Sequence, residues 1–97
     1  MERPTRLSQK EVHTWLGAHP QWELVGDAAI ARSFKFADFA AALAFVVRVG
    51  LAAERRDHHP DIELGWGRAG VRWSTHDAGG LTALDLELAE VTDHAYA

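Results

Sequence analysis

Phe34-Lys35-Phe36-Ala37-Asp38-Phe39-Ala40-Ala41-Ala42-Leu43-Ala44-Phe45-Val46-Val47-Arg48-Val49-Gly50-Leu51-Ala52-Ala53-Glu54-Arg55-Arg56-Asp57-His58-His59-Pro60 holds a strand end, a helix cap, a long apolar helix and a stop. Asp38 can cap the helix through its side-chain oxygen, and Lys35-Phe36 before it reads as the end of a strand. Phe39, Leu43, Val46, Val47 and Gly50 recur at three- and four-residue spacing, a stripe expected to face a sheet. Continuing by fours from Gly50 reaches Glu54 and then His58, so the stripe turns polar and ionisable at its end. A helix buried only for packing would finish the stripe with Leu or Ala. That change of character is the strongest physical hint of a site.

Outward from this helix the punctuation is clear. Ser8-Gln9-Lys10-Glu11 is a capping box with Leu7 and Val12 as its hydrophobic staple, opening a short helix that carries Val12, Trp15 and Leu16 inward and ends near Gly17. Thr82-Ala83-Leu84-Asp85 opens a third helix, stapled by Leu81 and Leu86, with Leu84, Leu88 and Val91 at helical spacing. Strands are predicted over 22–25 and 28–35, joined by the two-residue signal Gly26-Asp27, and over 62–66 and 71–74, joined by a loop containing Gly67 and Gly70. The order α-β-β-α-β-β-α predicts an α+β fold: one domain over residues 1–97, a four-stranded antiparallel sheet covered on one face by helices.

Composition narrows the function. Hydrophobic residues at 47% and charged residues at 25% are ordinary globular values and exclude a disordered chain. A net charge of −4 argues against direct nucleic-acid binding, which needs a basic stripe to neutralise phosphates. The absence of cysteine removes disulfides, thiol nucleophiles and thiolate metal sites, and fits a reducing compartment. Met1-Glu2-Arg3-Pro4 is followed by no apolar signal core, and the apolar stretch 39–47 is too short to span a bilayer. A soluble, cytoplasmic protein with no membrane partner is expected.

Histidine is the side chain whose ordinary pKa, roughly 6.5, lets it give or take a proton near neutrality. Three of the six histidines, His58, His59 and His76, fall within nineteen positions beside Glu54 and a helix end. An ordinary reading is available for each. Histidines at a helix C-terminus suit the macrodipole and the orphan carbonyls there, and Pro60 simply ends the helix. His76 would face away from Val71 and Trp73 by strict alternation, although the following Asp77-Ala78-Gly79-Gly80 could re-aim it. Asp85 is explained by its place in the capping box. A metal site fits poorly, because adjacent helical positions point about 100° apart and do not converge on one ion. His13, His19 and His94 read as surface residues, Trp15 and Trp22 as core, and Trp66 as an aromatic face that could stack on a planar ligand.

Glu54-x-x-x-His58-His59-Pro60, then five residues to Trp66, nine to His76 and eight to Asp85, resembles the signature of the pterin-4a-carbinolamine dehydratase family. Phe34-Lys35-Phe36-x-Asp38-Phe39, Arg48-Val49 and Ser74-Thr75-His76-Asp77-x-Gly79-Gly80-Leu81-Thr82 agree, and the similarity runs from about Leu7 to about Val91. The resemblance implies dehydration of a 4a-hydroxytetrahydropterin to the quinonoid dihydropterin, without metal or redox cofactor, in tetrahydrobiopterin recycling. It implies that His58 and His76 are the acid-base pair, that Glu54 and Asp85 support them, and that His59 orients the pterin. Pro60, Trp66, Ser74 and Thr75 complete the implied substrate contacts. It also implies a homodimer or homotetramer. The chain departs from its relatives at Asp61-Ile62-Glu63, where aromatic residues are frequent, at Trp73, where a smaller aliphatic residue is usual, and at Gly65 and Gly67 around Trp66. A rival role, as a non-catalytic dimerisation or assembly partner, would have no need of three histidines and Glu54.

Overall fold

Each helix begins where its cap lies. In the computed structural model, which describes residues 5–96, α1 (Gln9–Ala18) opens on the complete capping box. The Ser8 hydroxyl accepts from the Glu11 N–H at 3.1 Å, and the Glu11 carboxylate accepts from the Ser8 N–H at 3.1 Å. Asp38 caps α2 (Phe39–Arg55), its Oδ1 accepting from the Ala41 N–H at 2.8 Å. The third helix, α3 (Ala83–Tyr96), starts after Thr82.

The strands are β1 (Glu23–Val25), β2 (Ala29–Lys35), β3 (Asp61–Gly65) and β4 (Arg68–Trp73), in the order β1-β2-β4-β3 with every pair antiparallel. Val25 pairs with Ala29, so the first turn spans 26–28, one residue longer than Gly26-Asp27 alone suggests. Gly65 pairs with Arg68, which takes Trp66 out of the strand and makes Trp66-Gly67 the second turn. There Gly67 has φ +67°, and a Cβ would meet the Phe36 carbonyl oxygen at 3.2 Å, so any other residue would be strained there. Gly70, read as loop from sequence, lies inside β4 opposite both Ser33 and Glu63. Ladders on both sides outweigh its poor strand propensity.

Alternation sorts the sheet into two faces. Ile30, Phe34, Ala69, Val71 and Trp73 are buried under the helices. Ser33, Lys35, Asp61, Glu63, Arg68 and Arg72 are exposed on the other. The α+β order and the helix-covered sheet are thus as the sequence predicts.

The face of α2 is not. Its buried positions are Ala42, Phe45, Val49 and Ala53, while Phe39, Leu43, Val47 and Leu51 are 43–56% exposed. The helix carries two apolar stripes, and the one with alanines at both ends lies on the sheet because small side chains let the backbones approach. Glu54 therefore faces solvent rather than the sheet. The face of α3 also turns: Asp85, Leu88, Ala89 and Thr92 are buried and Val91 is not.

His58 is still directed inward, through the way α2 ends. The Asp57 N–H donates to the Glu54 carbonyl at 3.2 Å and the His58 N–H to the Ala53 carbonyl at 3.2 Å, a Schellman arrangement. It needs a left-handed residue at its pivot, and Asp57 supplies it with φ +48°. The pivot folds His58 back against the buried end of the helix. Asp57→Gly should relieve this strain and leave stability unchanged or raised by up to about 1 kcal/mol, whereas Asp57→Val should lower it by about 1–2 kcal/mol. Urea denaturation of the two variants beside the wild type measures both.

Candidate active site

Asp85 is the centre of the inward-facing cluster and is 0% exposed. Its Oδ1 accepts from His58 Nε2 at 2.6 Å. Its Oδ2 accepts from the Thr75 hydroxyl at 2.6 Å and from the Thr82 backbone N–H at 2.9 Å. The Thr82 hydroxyl lies 3.0 Å from that of Thr75 and 3.5 Å from Asp85 Oδ2. An ionised carboxylate only accepts, so the hydroxyls run in one direction, Thr82 to Thr75 to Asp85. Asp85 thus completes a helix cap with one oxygen and holds an imidazole with the other, and its capping role does not exhaust it. No Lys or Arg among the described residues forms a salt bridge with it. Burial without a fixed cation makes each of these donors necessary.

His58 is bounded on its face as well as its edge. Its ring lies 5.8 Å from that of Trp73 with an interplanar angle of 9°. The Trp73 indole N–H donates to the Thr92 hydroxyl at 3.1 Å, which donates to the Leu88 carbonyl at 2.7 Å. Trp73 and Thr75 project to the same side because they are two apart along an extended chain. Both β4 and α3 therefore contribute to the wall and floor around one imidazole.

The remaining sequence-predicted residues are not all brought to this centre. His59 Nε2 and Glu54 Oε1 are 2.6 Å apart in an exposed pair at the end of α2, a separate unit from His58–Asp85. Pro60, partly buried, follows directly. His76 begins a single 3-10 turn (His76–Ala78) and is exposed. Thr75 before it is extended (φ −123°, ψ 99°), so the His76 side chain leaves the chain on the side opposite the Thr75 hydroxyl. His76, Ser74 and Arg72 line a hollow of about 270 Å³ at that end of the sheet. Trp66, at the tip of the β3–β4 turn, is 73% exposed.

Thr75, expected to contact substrate, is buried with its hydroxyl on Asp85. Thr82 and Trp73 were not legible as site residues. Thr82 could have been found from its capping partnership with Asp85, and Trp73 from its two-residue offset to Thr75. Among the described residues no three His, Asp or Glu side chains converge as a metal site would require.

A helix-covered antiparallel sheet with a histidine held by a buried carboxylate defines a small α+β protein with one candidate proton-transfer site. Comparison with known proteins gives the family: residues 5–95 match the Pterin 4 alpha carbinolamine dehydratase family, and the chain belongs to it. A relative from Chloroflexus aggregans, provisionally named a pterin-4-alpha-carbinolamine dehydratase, is 44% identical over 88 residues, covering 91% of this chain and 94% of its own. One of the same provisional name from Mesorhizobium japonicum is 45% identical over 92 residues, covering 94% of each chain. A crystal structure described as a transcriptional coactivator/pterin dehydratase from Brucella melitensis superposes with a TM-score of 0.90 at 37% identity, covering 96% of this chain and all of that one.

Asp85→Ala would strand the His58, Thr75 and Thr82 donors in a buried setting. It should lower the unfolding free energy by about 3–5 kcal/mol, whereas Glu54→Ala, in the exposed pair, should cost about 0–1 kcal/mol. Denaturant titration of both variants distinguishes the two carboxylates.

Proposed function

We propose that this chain is a hydro-lyase acting on 4a-hydroxytetrahydrobiopterin or a close pterin analogue, giving the quinonoid dihydropterin and water in tetrahydrobiopterin recycling. The observation that carries the reading is the imidazole of His58, fixed by a buried carboxylate at the mouth of a helix end that also presents His59. The names borne by its relatives support the same substrate. In the reaction the N5 lone pair forms the C4a=N5 bond as the C4a–O bond breaks. The departing oxygen takes a proton from an imidazolium and leaves as water, and N5 gives its proton to a neutral imidazole. No electron is transferred to an acceptor. Acid, base and orientation suffice, each proton transfer being worth about 10²–10⁴-fold.

In this reading His58 and His76 are the acid-base pair. His59, steadied by Glu54, orients the ring, and Pro60 borders it. Asp85 acts through His58.

We further infer that the working form is a homo-oligomer sealed through α2. Phe39, Leu43, Val47 and Leu51 are spaced by four along one helix face and exposed, a larger contiguous apolar stripe than a surface helix needs. Two such stripes brought together would bury one another as in a helical bundle. The non-catalytic alternative, an interaction protein, also draws on this stripe and on the coactivator description of the Brucella relative. The histidine set favours the enzyme.

The test is the dehydration of synthetic 4a-hydroxytetrahydropterin by the purified chain. The wild type should exceed the uncatalysed rate, and His58→Ala should lose about 10²–10⁴-fold. A wild type no faster than the uncatalysed reaction would overturn the assignment. Sedimentation velocity should show two or four copies per particle, falling toward one with Leu43→Glu/Val47→Glu. A monomeric wild type would contradict the seam.

A further inference from the structure

We propose that Thr75 and Thr82 are positioning residues that, through Asp85, fix neutral His58 as its Nε2–H tautomer, making Nδ1 the atom that exchanges a proton with substrate. This deepens the dehydratase reading and rests on it.

A neutral imidazole has one N–H and one lone pair, and the partner of each nitrogen decides which is which. At His58 the Nε2 partner is Asp85 Oδ1 at 2.6 Å, the Thr75 hydroxyl lying farther off at 3.5 Å with its proton on Asp85 Oδ2, and an ionised carboxylate can only accept. Nε2 therefore carries the proton, and Nδ1 the lone pair. Nδ1 has no hydrogen-bond partner among the described residues, and no buried side-chain nitrogen or oxygen there lacks one. Nδ1 is accordingly open to whatever occupies the space outside.

The carboxylate can impose this tautomer only if it stays put and stays an acceptor. Thr75 and Thr82 arrange both. Thr75 Oγ1 donates at 2.6 Å and the Thr82 N–H at 2.9 Å to Oδ2, which fixes the carboxylate plane and leaves Oδ1 for the histidine. The Thr82 hydroxyl, 3.0 Å from Thr75 Oγ1, orients the Thr75 proton toward Asp85 by occupying its acceptor side. Trp73 adds the constraint that hydrogen bonding in the ring plane lacks. At an interplanar angle of 9° it limits rotation of the imidazole about the Nε2···Oδ1 line. An edge contact and a face contact together leave one direction for Nδ1.

Nitrogen-15 NMR of the full-length protein, labelled at histidine, reads the tautomer directly. In its neutral form His58 should show a protonated, pyrrole-type Nε2 and an unprotonated, pyridine-type Nδ1. Thr75→Val, which keeps the volume and removes the donor, should move His58 toward a mixture of tautomers and lower kcat about tenfold with KM unchanged. Thr75→Ser should restore both the signature and kcat. Should Thr75→Val fail to fold, Thr82→Val removes only the far hydroxyl and should give a several-fold fall of the same kind. An Nδ1–H tautomer in the wild type overturns the proposal. So does a folded Thr75→Val with wild-type tautomer and kcat, while leaving the dehydratase reading intact. A wild type with the Nε2–H signature but no dehydration defeats the dehydratase reading, and this role with it.

Discussion

A carboxylate with no exposed surface and no salt bridge to Lys or Arg must be satisfied by hydrogen bonds, and among the described residues Asp85 is in that position. Its donors come from three places: the start of α3 through Thr82, the end of β4 through Thr75, and the exit of α2 through His58. The positive end of the α3 dipole adds to them. One buried charge thus ties together the elements that border the site. Removing any donor leaves part of that charge uncompensated, so the fold and the candidate site share a single interaction.

The two neighbouring histidines show how one residue of offset separates depth from surface. His58 follows the left-handed Asp57 pivot and lies under Trp73, its side chain 14% exposed. His59, one residue on, turns outward to Glu54 and is 56% exposed. A buried, carboxylate-held imidazole suits proton transfer at a fixed point. An exposed one paired with an exposed glutamate suits contact with an incoming ring.

Much of this arrangement was legible in the sequence, because caps and turns are local. Ser8, Asp38 and Thr82 marked the helix starts, and glycine marked the turns, so the element order followed. The face of α2 was not legible. Its two apolar stripes differ only in side-chain size, and which one meets the sheet is decided by how closely the backbones pack. Glu54 was misplaced with it, and His58 was directed inward by the Asp57 pivot rather than by helical periodicity. Asp85 was discounted for an equally physical reason: a cap explains a carboxylate fully until the fold shows that its second oxygen is occupied elsewhere. Polar positions such as Thr82, and an aromatic such as Trp73, carry no period that distinguishes a site from a core.

The central claim is that proton transfer to the pterin occurs at His58. A crystal structure of the protein with a tetrahydropterin analogue that cannot dehydrate tests it most directly. The account predicts the C4a–N5 edge of the ring within hydrogen-bonding reach of His58, about 2.6–3.2 Å, with His59 against the same ring. An analogue seated elsewhere, such as on the exposed sheet face around Ser33 and Gly70, with His58 untouched, would contradict it.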